Sequence, residues 1–214
     1  MLIRHIGHAE FLIETADGER IVTDPYDASC GYPVQHLAAD TVLVSHGHHD
    51  HNAVENLREV RTVIDKPGIY TPAAGIRVTA LEGDHDDAGG TKRGKTLLFL
   101  IEAEGLRVVH LGDLGCMLTD GQAETLKKPD ILMIPVGGFF TIDGKQARET
   151  AKQLEAAVVL PMHYKTKYNA EWPISGPEQF LEGFSDSEIR MDLEALRITA
   201  GDRACQPRAA LFRA

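Results

Sequence analysis

Short hydrophobic runs of β type dominate the first half of the chain, and most are bounded by Gly, Pro or Asp. Because such residues end strands, this pattern predicts strands rather than helices. The predicted strands are Leu2–Ile6, Phe11–Thr15, Arg20–Thr23, Thr41–Ser45, Ile76–Leu81 and Thr96–Glu102. Residues 16–19 (ADGE) and 103–106 (AEGL) are typical of hairpin turns. The first helix is predicted over Asn52–Val60.

The second half of the chain alternates strands with helices. The predicted elements are, in order, strand Arg107–Leu111, helix Asp120–Lys127, strand Ile131–Val136, helix Lys145–Glu155 and strand Ala157–Leu160. In the second helix, Ala147, Ala151 and Leu154 recur at helical spacing, and Asp143 is suited to cap its N-terminus. Further strand-like runs cover Glu188–Met191 and Leu196–Thr199.

A β-rich half followed by an alternating half indicates an α/β (α+β) fold, in which packed sheets carry helices on the outside. The length of 214 residues fits a single domain over 1–214. The tail after about residue 200 has no pattern that predicts an element.

The net charge, the apolar runs and the cysteines of the chain argue against several classes of function. The net charge of −10 argues against a basic surface for nucleic acid. No apolar run approaches the roughly 18 residues that span a bilayer, and the first residues lack a secretory signal, so we expect a cytoplasmic protein with no membrane contact. The cysteines, Cys30, Cys116 and Cys205, are far apart, which fits a reducing compartment and predicts small buried apolar side chains.

Residues 45–52 (SHGHHDHN) hold four of the ten histidines. They follow a predicted strand, and alternate residues of an extended loop point to one side, so His46 and His48 can share one metal ion. Asp50 and His51 can face a second ion. Imidazole and carboxylate suit Zn²⁺, Mn²⁺ or Fe²⁺. His49 is expected to be a bystander, and the alternative for the whole cluster is a solvated polar loop.

Three further metal-capable residues, His85, Asp113 and His163, each follow the C-terminal end of a predicted strand. A scaffold of strands presents functional side chains on loops in this way. The sequence therefore predicts that these residues complete the coordination begun by the cluster. His110, on the apolar strand before Asp113, is predicted to be a buried, hydrogen-bonded histidine.

The ordered set His46-x-His48-x-Asp50-His51, His85, Asp113 and His163 resembles the motifs of the metallo-β-lactamase superfamily, over about residues 1–170. The stretches IGHAEFLI, TDP, HLGDLG and PMHYKTKY are similar to short hydrolases related to L-ascorbate-6-phosphate lactonase. The resemblance implies a four-layer αβ/βα sandwich with two divalent metal ions in a cleft between the inner sheets. Zinc is expected ahead of manganese or iron.

The resemblance also implies how the ligands divide. One ion would take His46, His48 and His85, the other Asp50, His51 and His163, and Asp113 would bridge them. Two such ions supply a hydroxide nucleophile and polarise the substrate oxygen. Asp50 would be catalytic, because it would orient the hydroxide and receive or relay a proton.

Four more residues are candidates for support or substrate contact. His8 lies at the cleft edge or, alternatively, is a hydrogen-bonded histidine of a hairpin. Asp24, in TDP, resembles an aspartate that supports the ligands from behind. Gly138 either brings a backbone N–H near an anion or makes a tight turn. Lys165 either attracts a phosphate or carboxylate or lies in a solvated loop.

The leading hypothesis is a metal-dependent hydrolase of a small, anionic substrate such as a lactone, ester or phosphoester. A nuclease or phosphodiesterase is the alternative within the superfamily, and the net charge opposes it. A di-iron oxidoreductase is opposed by His48, where such relatives carry an acidic residue. A non-enzymatic metal-binding protein is opposed by the absence of cysteine from the expected ligands. A homo-oligomer is left open.

Overall fold

Two β-sheets lie face to face in the computed structural model, which describes residues 1–201 and 206–213. The strands of the first sheet are β1 (Leu2–Gly7), β2 (Glu10–Glu14), β3 (Arg20–Thr23), β4 (Thr41–Leu43), β5 (Thr62–Ile64) and β13 (Leu196–Arg197). Their spatial order is β13-β1-β2-β3-β4-β5. Strands β3, β4 and β5 run parallel, and the other pairs are antiparallel.

The second sheet is larger. Its strands are β6 (Gly68–Ala73), β7 (Ile76–Asp84), β8 (Lys95–Ala103), β9 (Leu106–His110), β10 (Ile131–Pro135), β11 (Val158–Met162), β12 (Ile189–Leu193) and β14 (Ala209–Phe212). Their spatial order is β12-β14-β11-β10-β9-β8-β7-β6. The β6–β9 part is antiparallel, and the part from β9 to β12 is parallel. Both predicted hairpin turns are confirmed: 16–19 joins β2 to β3, and 103–106 joins β8 to β9.

The main core fills the space between the sheets. Along β2, Phe11 and Ile13 point into it, whereas Leu12 points to the opposite face. This alternation follows from the two-residue period of a strand. Aliphatic and aromatic side chains of both sheets complete the core, among them Ile3, Ile21, Leu43, Phe99, Met133, Leu160 and Phe212. The predicted α/β architecture of packed sheets is confirmed.

Three α-helices accompany the sheets in the described part of the chain: α1 (Asp120–Leu126), α2 (Gly144–Gln153) and α3 (Glu178–Leu181). They share a second apolar cluster with the outer face of the larger sheet. Asp143 caps α2 as predicted, because its side chain accepts from Gln146 N at 2.8 Å and the Gln146 side chain accepts from Asp143 N at 3.1 Å. No helix of the described residues has the length and apolar character needed to cross a membrane.

The predicted helix over Asn52–Val60 is wrong, because this segment forms only a 3-10 turn at Val54–Asn56. Arg58 N donates to the carbonyl of Leu37, and Ala39 N donates to the carbonyl of Arg58. These contacts use the backbone groups that a helix would pair internally. The apolar side chains of the segment cover the outer face of the first sheet instead.

Several elements were not predicted: β5, β6, β12 in its full length, α3 and β14. Strand β6 contains Gly68 and Pro72, which disfavour strands, and it is tolerated because it lies at a sheet edge. Strand β14 comes from the tail without a sequence pattern and is inserted between β11 and β12.

The cysteines differ in burial. Cys30 is fully buried beside Tyr26 and Tyr32, as predicted. Cys116 is only half-buried, so the prediction of a buried apolar side chain is wrong there. Cys205 lies outside the described residues.

The first prediction tests whether the tail strand belongs to the core. Phe212 on β14 is 6% exposed and packs edge-on to Phe11 at 6.3 Å between ring centroids. We expect Phe212→Ala to lower the free energy of unfolding by about 3–5 kcal/mol, because it leaves a cavity between the sheets. Urea denaturation measures this, with Met191→Ala at a 52% exposed position as the control. A Phe212→Ala protein as stable as this control would contradict the assignment of β14.

Candidate metal centre

The predicted ligands sit at one edge of the two sheets, where four strands end. His46 follows β4 by three residues, and Asp113 follows β9 by three. His85 comes directly after β7, and His163 comes directly after β11. The scaffold therefore delivers side chains from both sheets to one place, as the sequence predicted.

Two glycines let the Asp113 turn approach its neighbours. Gly112 has φ +48°, and a Cβ there would lie 2.8 Å from the Ser45 Cβ. A Cβ on Gly115 would overlap the backbone between His85 and Asp86. Only glycine permits both approaches, so the sequence GDLG places the Asp113 carboxylate against the histidine loops.

Imidazole nitrogens surround the Asp113 carboxylate. His51 Nε2 lies 3.3 Å from Oδ1. His163 Nε2 and His85 Nε2 lie 3.3 and 3.4 Å from Oδ2, and His46 Nε2 lies 3.9 Å from the same atom. Asp113 is 2% exposed, and although burial alone would raise its pKa, His163 and His51 hold that pKa well below the usual value. The carboxylate is thus ionised at the centre of the histidines.

The ligand atoms fall into two groups on either side of Asp113, each with its atoms within 4.8 Å of one another. The first group is His46, His48 and His85, and the second is His8, Asp50, His51 and His163. A third, overlapping group of His46, His51 and Asp113 connects them. The structure brings all seven predicted ligands together and adds His8.

His8 is buried beside Asp50, in the turn between β1 and β2. Its Nε2 lies 3.2 Å from Asp50 Oδ2, and its ring centroid lies 4.1 Å from that of His163. The His8 carbonyl accepts a hydrogen bond from His163 N at 3.0 Å. His8 is thus a hydrogen-bonded histidine of the β1–β2 turn that contacts two of the predicted ligands, and it is not among the residues that line the cleft.

Asp24 orients two histidines from behind the site. Its Oδ2 accepts from His51 Nδ1 at 2.9 Å and from the Ser45 hydroxyl at 2.7 Å, and Oδ1 accepts from Ser45 N at 2.7 Å. The Ser45 Oγ in turn lies 2.9 Å from His46 Nδ1. Since each Nδ1 is engaged, the Nε2 lone pairs of His46 and His51 are directed into the site, which is how ligating histidines are oriented.

The donor set fits divalent metal ions. His51 Nε2 and Asp113 Oδ1 are buried without a hydrogen-bond partner among the described residues, and a cation between them would satisfy both. Burial lowers the pKa of His8 and of His46 to about 3, which keeps both imidazoles neutral. Burial opposes ionisation of Asp50, but the adjacent His51 imidazole and the hydrogen bond from His8 outweigh it and lower that pKa. Neutral imidazoles and ionised carboxylates are the forms that bind metals. At His51, burial would lower the pKa, but the carboxylates of Asp113 and Asp24 raise it well above the usual value, so a metal ion bound there would replace a proton.

An open cleft of about 490 Å³ lies over this centre. Its metal-facing side is formed by His48, Asp50, His85, Asp113 and His163. Its walls carry His49, Lys92, Arg93, Phe140, Glu171, Trp172 and Pro173. The sequence did not single out Lys92, Arg93, Phe140, Glu171 or Trp172, because they come from separate loops with no shared motif.

None of the four predicted supporting residues lines the cleft. Gly138 N donates to the carbonyl of Ile142 at 3.2 Å, and φ at Gly138 is +67°. The tight-turn alternative therefore describes Gly138, and its N–H is not directed to an anion. Lys165 is exposed and its backbone N–H pairs with Ser175, so the solvated-loop alternative describes it.

The other histidines behave as expected. His49 is exposed, stands outside the ligand groups and lies 2.8 Å from Ser29 Oγ through Nδ1. His110 is fully buried, with Nε2 3.0 Å from the carbonyl of Ala9 and Nδ1 accepting from Gly112 N. His110 is thus a structural, hydrogen-bonded histidine.

The second prediction concerns Asp24. We expect Asp24→Asn to weaken metal affinity about 10–100-fold, because the single amide oxygen cannot replace both Oδ1, which accepts from Ser45 N, and Oδ2, which accepts from His51. Competition with a chelator of known affinity measures this. The control is Asp40→Asn, which removes a carboxylate paired with Arg20 away from the centre. Equal metal affinity in the two variants would show that Asp24 does not orient the histidines.

Known proteins resemble this chain in sequence. The family model described as the beta-lactamase superfamily domain matches residues 2–163. A UPF0173 metal-dependent hydrolase of Methanobrevibacter smithii is 30% identical over 200 residues, which cover 78% of this chain and 82% of the relative.

Solved structures of other proteins resemble this chain in fold. A Thermotoga maritima protein assigned to the zinc-dependent hydrolases of the metallo-β-lactamase superfamily has a TM-score of 0.77 and 36% identity, covering 99% of this chain and 97% of its own. A metallo hydrolase of Ignicoccus hospitalis, at 23% identity, shares the fold with a TM-score of 0.65 over 85% of this chain and 89% of its own. Together with the clustered histidines and aspartates, these matches show that the chain belongs to the metallo-β-lactamase superfamily and is a metal-dependent hydrolase.

Proposed function

We propose that this hydrolase uses two divalent metal ions, with zinc preferred, to cleave a small, anionic lactone, ester or phosphoester. The observation that carries the proposal is the position of Asp113, whose two carboxylate oxygens face imidazoles of both ligand groups. A carboxylate placed between two sets of donors is suited to bridge two ions.

The proposed ligands divide as the two groups do. One ion would be held by His46, His48 and His85, the other by Asp50, His51 and His163, and Asp113 would bridge them. Nitrogen and oxygen donors without cysteine suit zinc, with manganese or iron as alternatives. When bound, the pair of ions would lower the pKa of a water molecule and polarise the substrate oxygen.

Asp50 is the proposed proton acceptor. Its Oδ2 lies 3.2 Å from His8 Nε2 and 3.5 Å from His51 Nε2, and it also lines the cleft. These neighbours keep the carboxylate ionised, so it can accept a hydrogen bond from the attacking water and orient it. Its position in the cleft beside the proposed ligands is the basis for giving it the role of receiving or relaying the proton. His8 would hold Asp50 in position through the hydrogen bond to Oδ2.

The volume of the cleft, the net charge of the chain and the open side of the site all support a small substrate. A cleft of about 490 Å³ accommodates a compact molecule. The net charge of −10 opposes the long polyanion that a nuclease binds. The cleft is open above the ligands, whereas a structural zinc site is closed by protein on all sides.

The third prediction tests this proposal directly. Protein loaded with Zn²⁺ or Mn²⁺ should cleave at least one member of a panel of lactones, esters and phosphoesters, and a chelator should abolish the activity. We expect Asp50→Asn to lower kcat/KM by about 10²–10⁴-fold, because it removes the proton acceptor.

The matched control is Asp17→Asn, in the exposed hairpin turn 16–19, which should retain wild-type kcat/KM. Absence of cleavage across the panel by metal-loaded protein would contradict the proposed function. Full activity of Asp50→Asn would remove Asp50 from the reaction.

A further inference from the structure

The cleft has a wall that none of the proposed ligands supplies. It is carried by the loop between β7 and β8, which folds around the carboxylate of Asp86. The Asp86 Oδ1 accepts from Ala88 N and Gly90 N at 2.8 and 2.9 Å. Its Oδ2 accepts from the backbone N–H groups of Lys92 and Arg93 at 2.9 and 2.8 Å.

This loop is also fastened to the metal centre. His85 N donates to the carbonyl of Gly94 at 3.1 Å, and Gly94 N donates to the carbonyl of Gly90 at 3.0 Å. The start and the end of the loop are therefore joined at a proposed ligand. Because four backbone donors converge on one buried carboxylate, the positions of Lys92 and Arg93 are fixed relative to His85.

The two positively charged side chains on this wall, Lys92 and Arg93, differ in the groups that they contact. Lys92 Nζ lies 2.6 Å from Asp87 Oδ1, so it is already neutralised by an exposed carboxylate. Within residues 1–201 and 206–213, the Arg93 guanidinium has no carboxylate at ion-pair distance. It lies over aromatic rings instead, 5.6 Å from the centroid of Phe140 and 6.0 Å from that of Phe139. Arg93 thus retains its donors for a ligand.

The aromatic residues place this guanidinium close to the reacting centre. The Phe140 ring is 6.5 Å from the His163 ring and 6.1 Å from the Trp172 ring, between centroids. One phenyl ring therefore separates Arg93 from a proposed ligand. The adjoining Phe139 has φ 60° and is 62% exposed, and a bulky residue held in this conformation is typical of functional loops.

The cleft lining carries charges of both signs: Lys92 and Arg93 are cationic, and Glu171 is anionic. In a chain with a net charge of −10, a guanidinium without a carboxylate partner at the cleft selects anions by local rather than overall charge. Arginine binds planar carboxylate and phosphate groups through two parallel hydrogen bonds.

We propose that Arg93, held by the Asp86-centred loop and backed by Phe140, is the specificity-determining residue for an anionic group of the substrate. The substrate then carries a carboxylate or phosphate separated from the bond cleaved by a short apolar segment that contacts Phe140 and Trp172. This inference rests on the proposed function for the reaction, but the binding of the anion can be measured without turnover.

The fourth prediction uses binding to zinc-loaded protein at fixed ionic strength. The probes are phenylphosphonate and benzoate, with benzyl alcohol as the neutral counterpart, measured by calorimetry. We expect Arg93→Met to weaken at least one of the two anions about 10–100-fold, since a charge-assisted hydrogen bond is lost. The probe that the variant binds more weakly shows whether Arg93 binds a phosphate or a carboxylate group of the substrate. Benzyl alcohol should bind wild type and variant alike.

The matched control is Arg190→Met, at an exposed arginine on β12 that does not line the cleft. It should leave both anions unaffected, and the zinc content of both variants should equal that of wild type. Arg93→Lys should retain part of the affinity, because it keeps the charge without the paired donors.

Measurements of hydrolysis, combined with those of anion binding, test the anion subsite separately from the proposed hydrolase function. If the enzyme cleaves esters, Arg93→Met should lower kcat/KM for an ester with a terminal carboxylate or phosphate and spare its uncharged analogue. Equal affinity of wild type and Arg93→Met for both anions would overturn the anion subsite even if hydrolysis occurs. A panel without hydrolysis, combined with weaker anion binding by Arg93→Met, would contradict the reaction and support the subsite.

Discussion

The structure depends on one buried negative charge, the carboxylate of Asp113. A carboxylate with 2% exposure is strongly destabilising unless opposite charge or hydrogen bonds compensate it. Here the compensation comes from four imidazoles that belong to three different loops, all following strands at one edge of the sheets. The two sheets, the glycines of the GDLG turn and the Asp24 hydrogen bonds can all be understood as means of bringing those loops to one carboxylate.

The backbone around this charge is held in uncommon conformations. His8, Asp24 and His163 have φ values of 52°, 40° and 50°, in the left-handed region that costs residues other than glycine about 1–3 kcal/mol each. Each of the three engages another residue of the site, since Asp24 orients His51 and His163 N donates to the His8 carbonyl. Such strain persists where the surrounding structure fixes the conformation. At these three positions the contacts of the site therefore offset the cost of the backbone conformation.

The sequence predicted this centre well because its information is local. The histidine cluster and the strand-end positions of His85, Asp113 and His163 are visible as short motifs, and the strands beside them alternate regularly. It predicted the cleft walls poorly, since Arg93, Phe140 and Trp172 meet only after three loops have folded. The helix over Asn52–Val60 failed for a related reason, because pairing with residues 37–39 overrode a helical spacing of apolar side chains.

If Asp113 joins two metal positions, the number of metal ions that the protein binds depends on its carboxylate. Elemental analysis of purified wild type and Asp113→Ala, each reconstituted with zinc and freed of excess metal, gives the number of ions per chain. We expect about two ions per chain in wild type and a clear loss in Asp113→Ala, because the bridging ligand is removed. Unchanged metal content in a folded Asp113→Ala protein would contradict the bridging role of Asp113.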